Sequence, residues 1–147
     1  MTMFTLPDKA KPIEGQTELV LAAMCAWAEA RGEGTAAMFG VLCVIRNRAN
    51  HPKWWGNDIK SVILKKWQFS SFNDNDPNRA EMMYPLAHDS VESWERASRA
   101  SGAVFSGALD ITDGATHYHD TSIAPPDWAK GLKPICRIGR LEFYKAL

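Results

Sequence analysis

Apolar residues recur at helical spacing through the first two thirds of the chain and give way to short alternating runs in the last third. Leu19 to Ala28 reads Leu-Val-Leu-Ala-Ala-Met-Cys-Ala-Trp-Ala, with no charge and no helix breaker. Thr17 can cap this run and Gly32 can end it, which predicts a helix of about three to four turns. Thr35 can cap a second helix from Ala36 to about Ala49, with Phe39, Leu42, Cys43 and Ile45 or Arg46 marking its faces. Arg46 and Arg48 suit its C-terminal end, and His51-Pro52 stops it. Asn57 or Asp58 caps a short helix through Lys66 with Ile59, Val62 and Ile63 inward, and Asp76-Pro77 is a cap followed by proline at the first helical position. A further helix is expected from His88 or Asp89 to Phe105, its buried stripe being Val91, Trp94, Ala97, Ser101 and Val104.

Beyond Phe105 the pattern changes. Ala115 to His119 alternates as a strand, Pro125-Pro126 breaks the chain, and Ile135–Ile138 and Leu141–Tyr144 read as a small hairpin around Gly139-Arg140. Residues 1–16, with Pro7, Pro12 and Gly15, form an irregular arm, and residues 17–147 form a single domain. The fold class expected is α+β, mainly helical, with a small C-terminal β element.

Composition narrows the function. Hydrophobic residues are 46% and charged residues 23%, an ordinary globular balance, and a chain of this length can bury a core without disulfides. Lys plus Arg equals Asp plus Glu, so the basic excess of a nucleic-acid binder is missing. No run of 18 uncharged apolar residues occurs, and no stable membrane insertion is expected. Residues 19–28 have the length of a leader's apolar region, but Asp8, Glu14 and Glu18 beside Lys9 and Lys11 do not make a basic leading segment. The three cysteines contain no Cys-x-x-Cys, and Cys25 and Cys43 lie in apolar runs as buried thiols.

Glu29 is the residue where this pattern touches chemistry. It follows directly on the apolar helical run and opens Glu29-Ala30-Arg31-Gly32-Glu33. A carboxylate carried by a buried helix to the edge of a core loses hydration, which favours its acid form and makes it a candidate proton donor. Glu33 lies four residues on, and paired carboxylates point to glycoside cleavage, although Gly32 can end the helix before the two stack. Three other groups stand as candidates. His117 and His119, two apart on a strand, share a face and could bind zinc with Asp120, Asp113 or His88, which defines a zinc-dependent amidase or endopeptidase as the rival enzyme. Trp54-Trp55, Trp67, Phe69, Tyr118 and Trp128 could stack on sugars, with Phe69, Tyr118 and Trp128 the best placed, in loops or extended segments. Cys25 could be a thiol nucleophile, against which its apolar setting argues.

The order of these segments resembles the SleB-type cell wall hydrolases, the catalytic domains of spore cortex-lytic enzymes, which bacteriophages also use as endolysins. The resemblance rests on Glu29-Ala30-Arg31-Gly32-Glu33, on Asn47-Arg48 at the end of the next helix, and on Gln68-Phe69-Ser70. It continues through Gly114-Ala115 leading into His117-Tyr118-His119, then Ile138-Gly139 and Phe143-Tyr144. Gly34 stands where the family often has proline, Ala37-Met38 where it has a Gly-Gln pair, and Leu141 where its closing strand carries a histidine.

The resemblance implies a lysozyme-like fold acting on peptidoglycan glycan strands without a cofactor or metal. Glu29 would be the sole catalytic acid of a lytic transglycosylase, and Glu33, Gln68, Phe69, Ser70, His117, Tyr118, His119 and Trp128 would hold substrate. The setting it implies is an endolysin, acting as a monomer, kept in the host cytoplasm and reaching the wall or periplasm after release. A non-catalytic wall-binding module of the same fold is the alternative from outside enzymology.

Overall fold

The uncharged run from Leu19 onward becomes the centre of the molecule. In the computed structural model, which describes residues 5–65, 69, 72 and 76–146, α1 spans Glu18–Ala30. Thr17 caps it, its Oγ1 accepting from Val20 N at 3.4 Å. Residues 20–27 and Ala30 are buried, so α1 is apolar on every side and needs neighbours all round. Those neighbours are α2 (Thr35–Asn50), α3 (Ile59–Leu64) and α6 (Val91–Phe105). Two short helices, α4 (Pro77–Glu81) and α5 (Pro85–His88), lead into α6.

The boundaries differ from the sequence expectation in physically simple ways. A 3-10 turn, Arg31–Glu33, follows α1 at once, so Glu29 and Glu33 do not share a helix face. Thr35 does not cap α2 but is its first residue, after Gly34. Asp58 forms a reciprocal capping box with Ser61, and α3 ends at Leu64. Asp76 caps α4 through Asn78 N at 2.8 Å. The last long helix starts not at His88 or Asp89 but at Val91, where Ser90 Oγ accepts from Ser93 N at 3.1 Å; His88 belongs to α5. Val91 is therefore a first-turn residue, 47% exposed, and the buried stripe is Trp94, Ala97, Ala100, Ser101 and Val104. Trp27 and Trp94 are fully buried, as expected, and truncating either to Ala would cost about 3–5 kcal/mol.

Strands β1 (His117–Asp120), β2 (Cys136–Ile138) and β3 (Leu141–Tyr144) form one antiparallel sheet in the order β1-β3-β2. Tyr118 pairs with Phe143 and Asp120 with Leu141. The sheet lies against α2 at Gly40, where an added Cβ would sit 2.7 Å from Phe143 Cζ. A glycine in mid-helix costs about 1 kcal/mol of helix stability, and here it lets the strand approach. The described part of the arm, residues 5–16, is irregular but docked: Ile13 is buried, and Gln16 exchanges two hydrogen bonds of 2.8 Å with the Asp8 backbone. Cys25 and Cys43 are buried free thiols. Among the described residues no helix is long and apolar enough to cross a membrane.

Candidate active site

Glu29 stands one residue before the end of α1, half-buried, two positions after the fully buried Trp27. Its partner comes from the far end of the chain. Tyr118 Oη donates to Glu29 Oε1 at 2.7 Å. The Tyr118 ring packs between Phe143, 5.7 Å away, and Phe69, 6.5 Å away. Burial first, then the Glu29 carboxylate, push the Tyr118 phenol well above its ordinary value, while Arg48 pulls the other way. Tyr118 is thus held as a neutral donor and fixes one oxygen of Glu29.

What places Tyr118 is the Asn47-Arg48 pair near the end of α2, to which the sequence alone assigned no task. Asn47 Nδ2 donates to Ala115 O and to Asp110 Oδ2, both at 2.8 Å, and Arg48 Nε donates to Thr116 O at 2.7 Å. The two side chains grip the backbone immediately before β1. Asp110 completes the grip by accepting from Thr112 N, Thr112 Oγ1 and Gly114 N at 2.7–2.8 Å. Burial raises the Asp110 carboxyl, but these hydrogen bonds outweigh it and hold the group at about 2. Two polar side chains on the inner side of an apolar helix are the sequence signal for such a clamp, because buried polar groups must find partners.

Glu33 lines the same cleft with a different job. Its Oε1 accepts from Arg140 N at 2.7 Å and its Oε2 from Arg140 Nε at 3.0 Å. The carboxylate clasps the β2–β3 turn, whose Gly139 has φ +60° and leaves no room for a Cβ, which would lie 2.7 Å from Glu33 Oε1. Arg31 braces the opposite wall: its guanidinium lies 3.8 Å over the Trp27 ring, and its Nε meets Asp89 Oδ2 at 2.9 Å. Between these walls lies an open cleft of about 330 Å³ lined by Glu29, Arg31, Glu33, Asp89, Asp120 and Arg140, among others.

The other expected site residues fall elsewhere. The expectation that His117, Tyr118 and His119 act together fails on strand alternation: Tyr118 faces Glu29, whereas both histidines lie on the opposite face, each 8% exposed. His117 Nδ1 is 2.9 Å from Thr116 Oγ1, and His119 Nε2 is 3.2 Å from Tyr144 Oη. Trp128, half-buried, covers them, with ring centroids 4.8 Å from His117 and 6.2 Å from His119, so it does not line the Glu29 cleft. Phe69 is 2% exposed and backs Tyr118 instead of offering a stacking face. Gln68, Ser70 and Trp67 lie outside the described residues. Among the described residues no group of three or more His, Cys, Asp or Glu side chains is arranged to hold a metal ion, and none of them gives the two histidines the third ligand that the zinc reading needs. The Cys25 thiol is pushed well above its ordinary value, first by burial and then by the Glu29 carboxylate, which removes the thiolate a nucleophile requires.

Comparison with known proteins gives an independent view of this geometry. A family model described as Cell Wall Hydrolase matches residues 32–144, a span that includes Glu33, Tyr118 and the sheet but begins after Glu29. Two solved structures superpose well. The catalytic domain of the germination-specific lytic transglycosylase SleB from Bacillus anthracis is 24% identical with a TM-score of 0.68, over 89% of this chain and 98% of that one. The catalytic domain of the Bacillus cereus SleB protein is 23% identical with a TM-score of 0.69, over 99% and 100%. At such identities the likeness establishes the fold. Among curated proteins, none matches the chain.

Proposed function

The chain belongs to the cell wall hydrolase family, and on that premise we propose that it is a lytic transglycosylase that cleaves the β-1,4 bond between N-acetylmuramic acid and N-acetylglucosamine in peptidoglycan. The observation that carries the reading is the Tyr118–Glu29 hydrogen bond of 2.7 Å at the wall of an open cleft. Glu29 gives its proton to the glycosidic oxygen as the bond from that oxygen to C1 of the muramic residue breaks. The C6 hydroxyl of the same residue then attacks C1, and its proton returns to the Glu29 carboxylate. The products are a new N-acetylglucosamine end and a 1,6-anhydro-muramic end, with no water consumed. One carboxyl group serves as acid and then as base. Glu33, whose two oxygens are taken by Arg140, is not asked to be a nucleophile. Tyr118 supports both steps by stabilising the carboxylate that forms between them and by keeping the side chain in one orientation.

Glu29→Gln keeps the shape of the side chain and removes its proton chemistry. We expect it to fold as the parent does and to lose about 10²–10⁴-fold in the rate of glycan cleavage. Mass analysis of digested sacculi identifies the reaction: anhydro-muramic ends support it, whereas reducing ends or freed peptides would sink it. A Glu29→Gln protein that cleaves like the parent would show that Glu29 is not the acid, and a parent that binds sacculi without cleaving them would leave only a wall-binding module.

The setting we infer is an endolysin, monomeric, stored in the cytoplasm and acting on the wall after the membrane is breached. In support, residues 19–28, the stretch of leader-like length, are the core of α1, and losing them would remove the helix that carries Glu29. Expression with and without a membrane-permeabilising protein tests this: lysis should need the partner, and export into the medium without it would overturn the setting.

A further inference from the structure

A second groove, of about 290 Å³, lies where the loop after α2 meets the segment entering β1. Its lining includes Lys53, His51, Lys145, Trp55 and Thr116. Lys53 is backed by a tight loop, with Lys53 and Gly56 forming a β-bridge, and its Nζ lies 5.9 Å from the centroid of the buried Trp55 ring. Lys145 follows β3 directly and reaches across Gly114, its Nζ 3.8 Å from where a Cβ would stand. Neither lysine has a carboxylate within ion-pair distance among the described residues. The nearby Asp110 is occupied by Asn47, Thr112 and Gly114. Two ammonium groups therefore face one groove without an ion-pair partner among the described residues, on a chain whose formal net charge is zero.

The C-terminal end of α2 also points here, and a helix C-terminus by itself repels anions. That repulsion is partly muted, because Trp55 Nε1 donates to Arg48 O at 3.0 Å and to His51 O at 3.2 Å, covering two of the carbonyls at that end. The lining itself then carries two ammonium groups and no carboxylate, with Asp110 set behind it. The groove is also connected to the reaction centre by a short, straight path. Thr116 lies in the groove, Tyr118 touches Glu29, and Asp120 lines the cleft. At about 3.3 Å per residue, this run spans about 13 Å.

We propose that the Lys53–Lys145 groove is a second binding site, which takes carboxylates of the peptide stems carried by the glycan strand whose bond lies at Glu29. The inference rests on the peptidoglycan reading above. A strand seated in the cleft presents stems laterally, and a cationic groove at the other end of β1 would select strands that bear them. The glycan bond is then positioned by contacts at both ends of one strand.

Sedimentation with purified sacculi tests the site directly, with catalysis silenced by Glu29→Gln. Adding Lys53→Ala and Lys145→Ala together should weaken binding to peptide-bearing sacculi about three- to tenfold at low ionic strength, an effect that fades in high salt. Binding to sacculi stripped of peptides by an amidase should not change, and Lys53→Arg with Lys145→Arg should bind as the parent does. Equal losses on both substrates, no loss on either, or equally strong lysine-dependent binding to a peptide-free phosphate polymer would overturn the proposal. Product analysis separates this from the reaction itself. A parent enzyme that frees no anhydro-muramic ends refutes the chemistry at Glu29, whatever the lysines do in the binding assay.

Discussion

The two faces of β1 put polar side chains to opposite uses. On the inner face Tyr118 meets a carboxylate at 2.7 Å, and Asp120 reaches the cleft. On the outer face His117 and His119 lie buried beneath Trp128 and beside Tyr144. The sequence His117-Tyr118-His119 offers the histidines as zinc ligands and all three residues as substrate contacts. Alternation aims the tyrosine alone of the three at Glu29, because a strand can aim only every second side chain at one point. Identity proposes a role, and the face disposes of it.

The sharpest way to break the comparison is to strip each face in turn. Tyr118→Phe removes one hydroxyl from the inner face and keeps the ring packing. A hydrogen bond to a charged group is worth about 1.5–3 kcal/mol, so cleavage should slow about tenfold to a hundredfold with little change in thermal midpoint. His119→Gln on the outer face should leave the cleavage rate within about twofold of the parent and act on stability instead, as its ring is taken up by Tyr144 and Trp128. Kinetics on both variants with the same sacculi would decide. An outer-face variant that loses activity as Tyr118→Phe does would show that the histidines take part.

The clamp behind Tyr118 comes next in size. Asp110→Ala leaves Asn47, Thr112 and Gly114 short of an acceptor, and we expect a stability loss of about 2–3 kcal/mol with a slower reaction, because β1 is held less firmly. The sign of its pH dependence follows from a carboxyl held at about 2, below its ordinary 3.8. Its contribution is full above the ordinary value and is lost as pH falls towards 2. Chemical denaturation of parent and variant at pH 7 and pH 3 should show the gap narrowing in acid.

How much of this was legible beforehand depends on range. The core helices could be read because their apolar spacing is local: Leu19–Ala28 gives α1, and Trp94, Ala97, Ser101 and Val104 give the inner stripe of α6. The hairpin could be read from Gly139-Arg140 between two short runs. Glu29 could be singled out because a charge directly after an apolar helix is unusual. Tyr118 could be read as a cleft aromatic, but its pairing with Glu29 could not, since 89 residues separate the two and the packing of the sheet on α2 brings them together. The same holds for Glu33, whose bond to Arg140 spans 107 residues and adds a clasp on the β2–β3 turn to its place in the cleft. The misplaced start of α6 has a local cause: Ser90 and Asp89 can both cap, and the position of Ser93 decides for Ser90.

The smallest effect tests the outer face on its own terms. Burial first, and the positive charge of Arg48 second, lower the His117 imidazole to about 4, so the folded protein keeps it neutral where an unfolded chain would protonate it near 6.5. The unfolded state then binds more protons between about pH 6.5 and 4, and stability from this position falls as pH falls through that window. His117→Gln cannot be protonated and should flatten that part of the curve. Its urea midpoint should drop less between pH 7 and pH 5 than the parent's, while cleavage at pH 7 stays within about twofold, the ordinary latitude for a group remote from the reacting atoms. Equal acid sensitivity in both proteins would mean that the ring is protonated inside the fold. The aromatic cover of Trp128 and Trp54 would then be open to water, and the outer face of β1 would be a working surface rather than a buried one.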